Sequence, residues 1–241
     1  TAPHDPAKMP ILLVHGHWSG PPVFKELAES IDTSKYELWY TYYPAGLDIN
    51  ETVAMFQINL ARLANYYHTD EVIVLAYSMG GPVARQTIAT ADPSLKLPVV
   101  PLFIGVANSW DGSMKTNTGA KTAITADPEK AASYGAESWK QVYAGAPFVR
   151  GMFRHPLPQE TEFHMIYSFG GDDPKIPGRD DGVLHEASLA RKEALAEAAS
   201  VTVFDQPDHQ TIIGHYLCIK RINEILGAFE ASRSASPPPT P

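Results

Sequence analysis

An apolar run, Val72-Ile73-Val74-Leu75, passes without a break into Ala76-Tyr77-Ser78-Met79-Gly80-Gly81, and a helical pattern begins at once behind it. A buried strand that turns into a helix with no loop between them constrains the fold more than any other stretch of the chain. The turn must bend sharply at Ser78, and the residues two before and two after it must be small for strand and helix to approach. Ala76 and Gly80 meet that demand. Such a turn lifts the Ser78 hydroxyl above the end of a sheet and aims the helix N-terminus at negative charge forming beside it. The plainer alternative is a serine that caps a helix. Strand, small residues and helix together favour a nucleophile.

The rest of the chain supports a sheet of this kind. Short apolar runs at residues 10–14, 36–42, 72–77, 99–106, 163–169 and 201–204 alternate with amphipathic stretches at 23–31, 50–66, 79–91, 185–198 and 215–231. That alternation predicts strands buried on both faces and helices between them, hence one α/β domain over residues 1–231. Asn50 and Glu51 offer a cap and an acidic first turn, and Val53, Phe56, Leu60 and Leu63 recur at helical spacing. Between residues 107 and 162 the alternation breaks, and Trp110, Tyr134, Trp139, Tyr143 and Phe148 stand among Gly, Ser, Thr and Pro. This stretch is expected to be a cap insertion. Residues 232–241, rich in Ser and Pro, are expected to form a disordered tail.

Composition removes several classes of function. With 19 Lys and Arg against 27 Asp and Glu, the net charge of −8 is that of no basic nucleic-acid binder. Cys218 is the only cysteine, so neither an internal disulfide nor a four-thiolate zinc site is available. No apolar run has the roughly 18 residues of a membrane helix, and the chain is expected to be soluble with no transmembrane segment. It opens on Thr1 without an initiator Met. A leader could have been removed, and the compartment stays open between secreted or periplasmic and cytoplasmic.

Two further segments hold groups able to work with Ser78. The first strand ends in His15-Gly16-His17-Trp18-Ser19-Gly20, where glycines let backbone N–H groups face a ligand. His15 and His17 could instead share a face as metal ligands, but no Asp, Glu or Cys stands near them in sequence, and His15 reads better as a hydrogen-bonded structural histidine. Near the C-terminus the last strand leads into Asp205-Gln206-Pro207-Asp208-His209, which places His209 on a strand-to-helix loop where catalytic groups tend to sit. Between Ser78 and His209, the loop after the fifth strand carries Asp172, Asp173, Asp180 and Asp181. The order nucleophile, acid, histidine is then complete. Spacing alone does not choose the acid: proximity to the strand favours Asp172 or Asp173, whereas the Gly after Asp181 permits a turn that points that carboxylate inward.

These residues resemble the α/β-hydrolases, and among them the bacterial lipases and esterases. The resemblance rests on His15-Gly16, on Ala-x-Ser-x-Gly at residues 76–80 continuing as Ser-Met-Gly-Gly, on Asp181-Gly182-Val183 and on His209 ahead of Ile212, and it spans residues 10 to about 228. Tyr43-Pro44-Ala45-Gly46 is similar to a turn of predicted bacterial lipases, and Ala76 at the first position of the turn is similar to small Bacillus lipases. The resemblance implies a mostly parallel sheet with helices on both faces and a small cap, a Ser78–His209–Asp181 triad, and an oxyanion hole made by the backbone N–H groups of His17 and Met79. It implies an esterase or lipase acting on a small-molecule or lipid ester, with no cofactor. A thioesterase or acyltransferase using the same residues is the alternative, and an inactive hydrolase-like binding protein a more distant one.

The sequence departs from the pattern in two places. Ala107-Asn108-Ser109-Trp110-Asp111-Gly112-Ser113 stands where many relatives have a Pro-x-x-Gly-Ser-like turn. Thr211 stands two residues after the histidine, where calcium-dependent lipases similar to this chain carry Asp, so no metal is expected. Trp18, Tyr77 and Trp110 are the expected pocket residues.

Overall fold

Runs of Val, Ile and Leu with no polar face cannot lie at a water-exposed surface, and the chain stacks them side by side. The computed structural model describes residues 4–112, 138, 141, 142, 145–173, 176 and 178–235. Six strands, β1 (Met9–Val14), β2 (Tyr36–Tyr40), β3 (Ile73–Tyr77), β4 (Leu102–Val106), β5 (Glu162–Ser168) and β6 (Ser200–Phe204), form one sheet in the order β2-β1-β3-β4-β5-β6. Every pairing is parallel. β3 and β4 are buried at every position, as strands covered on both faces must be.

Among the described residues the α-helices are α1 (Lys25–Ser30), α2 (Ile49–Tyr67), α3 (Gly80–Ala89), α4 (Pro147–Gly151), α5 (Glu186–Leu189), α6 (Lys192–Glu197) and α7 (Tyr216–Ala235). The step from β1 to β2 runs opposite to the step from β2 to β3, so right-handed crossovers put α1 and α2 on opposite faces. α3 continues in the direction of α2, and Gln57 of α2 donates to the Thr87 and Thr90 carbonyls at the end of α3. α7 returns to the face of α1, where Asn223 donates to Ser30 Oγ and the Tyr36 hydroxyl to Leu226 O.

Several expected boundaries move for identifiable reasons. The cap of α2 is Asp48, whose Oδ1 accepts from the amides of Asn50 (2.7 Å) and Glu51 (3.2 Å), so the helix starts ahead of Asn50. β4 begins at Leu102 because Pro98 and Pro101 lack the N–H that a ladder needs. The helix expected over residues 185–198 is two short ones. Arg191 between them has extended backbone, and its guanidinium reaches the Trp110 and Val149 carbonyls. α7 runs on to Ala235, into the expected tail. The Ser232 and Ser234 hydroxyls back-bond to Phe229 O and Glu230 O there, and Arg233 pairs with Glu71 at 2.7 Å. Residues 236–241 lie outside the described residues. Among those described, no helix is long and apolar enough to cross a membrane.

One buried ion pair anchors α3. Arg85 is fully buried and meets both carboxylate oxygens of Glu197 on α6, while also donating to the Met152 and His155 carbonyls and lying over the Phe153 ring. Removing one partner strands a charge in a low-dielectric interior. Glu197→Gln is therefore expected to lower the unfolding free energy in urea by about 3 kcal/mol; a loss below about 1 kcal/mol, the range of a surface pair, would show that water reaches the guanidinium.

Candidate active site

β3 and α3 meet at Ser78, whose backbone is left-handed with φ of 55°. The Ser78 amide donates to Val106 O at the end of β4 (2.9 Å), and its carbonyl accepts from the Gly81 amide (3.0 Å). A Cβ on Gly80 would lie 2.4 Å from Val14 O, so only glycine lets α3 start this close to β1. The turn after β1 backs directly on the same serine, since a Cβ on Gly16 would lie 2.6 Å from Ser78 Cβ.

His209 arrives on the loop after β6 and is held by its own backbone. Its amide donates to Asp181 O (2.7 Å), and its carbonyl accepts from the Tyr77 hydroxyl (2.7 Å). His209 Nδ1 lies 2.6 Å from Asp181 Oδ2, and Nε2 lies 3.0 Å from Ser78 Oγ. A carboxylate can only accept, so the ring proton belongs on Nδ1, and Nε2 presents its lone pair to the serine. Asp181 has no exposed surface, and its other oxygen accepts from the Val183 (3.0 Å) and Leu184 (2.7 Å) amides. Of the four acidic candidates on this loop, Asp181 is the one whose carboxylate meets His209. Asp172 is exposed, and Asp180 Oδ1 caps the Gly182 amide instead.

A cleft of about 340 Å³ opens over Ser78. His17, Met79, Trp18 and Tyr77 all line it, with Val23, Val142, Val183 and Leu184 adding apolar wall. Met79 is the N-cap of α3, so no preceding helical carbonyl can accept its amide. No Asp, Glu, Lys or Arg is among the described lining residues. Trp110 is not in the cleft, contrary to the sequence expectation. It is 1% exposed and packs edge-on against Phe163 and Phe153, so it belongs to the core under β4 and β5. Phe148 packs on that core too, whereas Tyr134, Trp139 and Tyr143 lie outside the described residues.

The two histidines after β1 serve the turn. His15 is buried, stacks on Tyr43 at 4.3 Å and lies 2.9 Å from Gly16 O through Nδ1, while the Tyr43 hydroxyl donates to His15 O (2.6 Å). His17 Nδ1 lies 3.2 Å from Ala45 O, so the Tyr43-Pro44-Ala45-Gly46 turn supports the loop beside Ser78. Burial lowers both imidazoles, that of His17 to about 4. An unfolded histidine titrates near 6.5, so between pH 6.5 and about 4 the unfolded chain binds a proton at His17 that the folded chain refuses. Stability is expected to be fully present above pH 6.5 and to fall as the pH drops toward 4. Thermal melts of wild type and His17→Gln at pH 7 and pH 5 check this, and an equal acid shift in both proteins would clear His17 of the effect.

No protein-family model and no curated protein matches the chain in sequence. Solved structures match it in fold. An α/β-hydrolase enzyme from the metagenome of lagoon sediments at Mar Chica, Morocco, superposes with a TM-score of 0.59 at 14% identity, over 92% of its chain and 94% of this one. This chain has the α/β-hydrolase fold. The mature lipase of Bacillus licheniformis matches with a TM-score of 0.68 at 19% identity, covering 93% of that chain and 92% of this one. The monoacylglycerol lipase of Paleococcus ferrophilus matches with 0.62 at 8% identity, over 94% of its chain and 92% of this one.

Within this fold, sequence reasoning missed the parts that act at long range. The Tyr77 hydroxyl ties β3 to the His209 loop across 132 residues, and Asn108 bonds to the turn that carries Ser78. An aromatic beside the serine and an odd residue in a family turn were the only signals, and neither names its partner.

Proposed function

We propose that this chain hydrolyses uncharged carboxylic esters through an acyl-enzyme on Ser78. The observation that carries the reading is the unbroken hydrogen-bond line from Ser78 Oγ through both ring nitrogens of His209 to buried Asp181, opening on an apolar cleft. His209 Nε2 takes the proton as Ser78 Oγ attacks the ester carbonyl carbon. The Met79 and His17 amides hold the oxyanion, and the loss of one such donor typically costs on the order of 10²–10³ in rate. His209 then gives its proton to the departing alcohol, and water activated by the same ring releases the acid. Asp181 fixes the tautomer and stabilises the imidazolium. The chemistry needs no metal or cofactor.

The solved lipases that share the fold support ester hydrolysis over the other reactions the fold hosts. A thioesterase or acyltransferase would use the same residues, but a carrier such as a multiply charged nucleotide thioester would find no cation among the described lining residues and a protein of net charge −8. Part of the 107–162 stretch acts as a wall of the cleft in this reading. Val142 lines it, and Gln141 beside it is tied to Asp48 and the Ile49 amide at the start of α2. Nitrophenyl esters of increasing acyl length test the proposal. Hydrolysis of uncharged esters is expected, with a His209→Gln variant losing it because nothing then accepts the serine proton. Wild-type turnover in that variant would remove His209 as the base, and failure of the wild type to turn over any ester would remove the reading.

A further inference from the structure

Asn108 stands in the segment where the sequence departs from its relatives, and the mechanism above gives it no part. We propose that Asn108 is a positioning residue whose carboxamide clamps the Ser78–Met79 peptide to the end of β4, and so aims both the nucleophile and the Met79 amide; this rests on Ser78 being the nucleophile. Asn108 Nδ2 lies 3.0 Å from Ala76 O, 3.2 Å from Ser78 O and 3.2 Å from Val106 O. Carbonyls converging on one atom decide which end of the amide faces them, because only the NH₂ end can donate. Asn108 Oδ1 is buried with no partner, so the side chain's favourable bonds all run through its nitrogen.

The surroundings are shaped to this side chain. A Cβ on Gly81 would lie 2.3 Å from Asn108 Cγ, and one on Gly105 would lie 2.1 Å from Oδ1. The second glycine of Ser-Met-Gly-Gly and the glycine inside β4 are thus both small where the carboxamide passes. Ala107 is left-handed with φ of 47°, which turns the chain as it leaves β4 just ahead of Asn108.

The consequence for the site follows from peptide planarity. Ser78 C=O and Met79 N–H belong to one rigid trans unit and point in opposite directions. A donor that holds the carbonyl from below therefore fixes the direction of the N–H above, which is the candidate oxyanion donor. The same bond restrains the left-handed backbone of Ser78, a conformation that costs energy and relaxes when its surroundings loosen.

The test compares wild type with Asn108→Asp, which keeps the shape and exchanges the donor for a carboxyl, and Asn108→Ala, which removes the group. Three quantities are read for each folded protein: kcat and KM on nitrophenyl butyrate, the rate of Ser78 labelling by a fluorophosphonate, and the pH dependence of that rate. Both variants are expected to lose on the order of 10–10² in kcat and in labelling with KM little changed, because what moves is the alignment of reacting groups. In Asn108→Asp the loss should deepen as pH rises. A protonated carboxyl can still donate one hydrogen bond to the carbonyls, and a carboxylate can donate none. A role confined to fold stability would lower the melting temperature and leave kcat and this pH dependence as in wild type. Folded variants within about threefold of wild type in kcat and labelling would overturn the clamp alone, as would a change in KM with kcat intact. Wild type that is not labelled at Ser78 would overturn the reading of the nucleophile and the clamp with it.

Discussion

Replacing Ser78 by Ala is expected to lower turnover of an aryl ester by about 10⁶ while leaving the protein folded, the size of loss seen when a hydrolase that works through a base-activated serine is stripped of it. The geometry argues for an effect this large. Ser78 Oγ is 3.0 Å from His209 Nε2, on a turn whose left-handed backbone lifts the side chain into the cleft. Removing the hydroxyl leaves the base with nothing to deprotonate but water, while the amides beside the cleft remain and sustain a residual rate about 10³–10⁴ above the uncatalysed one. The substitution removes one oxygen from a half-buried side chain, so the melting temperature should move little. Two measurements check the claim: steady-state turnover of Ser78→Ala, and mass spectrometry of the wild-type protein after a fluorophosphonate. Wild-type turnover in the variant, or a label on another serine, would transfer the chemistry elsewhere.

What the sequence discloses about this site follows the range of the interactions involved. The turn at Ser78 is local: apolar strand, small residues and helix lie within ten positions, and the packing of Gly80 on Val14 O is the physical reason for the small residue. The inner strands β3 and β4 are legible for a similar reason, since burial on both faces leaves almost only apolar residues, and the start of β4 shifts where Pro98 and Pro101 break the ladder. Trp110 misleads because its setting of Gly, Ser and Asp looks like a surface loop, and the partners that bury it, Phe153 and Phe163, come from later parts of the chain. The break between α5 and α6 is invisible in an alanine-rich pattern because its cause is Arg191 reaching carbonyls far away in sequence. The acid is the intermediate case. Order along the chain limits it to one loop, but four aspartates on that loop have similar sequence surroundings, and the choice among them is a matter of tertiary direction.

That choice gives the second large effect. Asp181→Asn is expected to lower turnover by about 10⁴ in a protein that still folds. Asp181 makes two kinds of contact. Oδ1 accepts from the Val183 and Leu184 amides and shapes the turn, while Oδ2 accepts from His209 Nδ1 at 2.6 Å. An asparagine can keep the first set through its own carbonyl oxygen, which preserves the turn. Its NH₂ then occupies the place of Oδ2 and presents a donor to Nδ1. The ring responds by moving its proton to Nε2, so the nitrogen facing Ser78 becomes a donor and cannot accept the serine proton. Loss of activity without loss of fold is thus the signature of a tautomer held by Asp181. The His209 amide bond to Asp181 O is untouched by the change, so the ring should stay in place. Turnover and melting temperature of Asp181→Asn, measured beside Asp172→Asn and Asp173→Asn, decide the matter. Exposed Asp172 should tolerate the change with near wild-type turnover. If Asp172→Asn or Asp173→Asn shows the large loss and Asp181→Asn does not, then the carboxylate that orients His209 during turnover is not the one that meets it at rest.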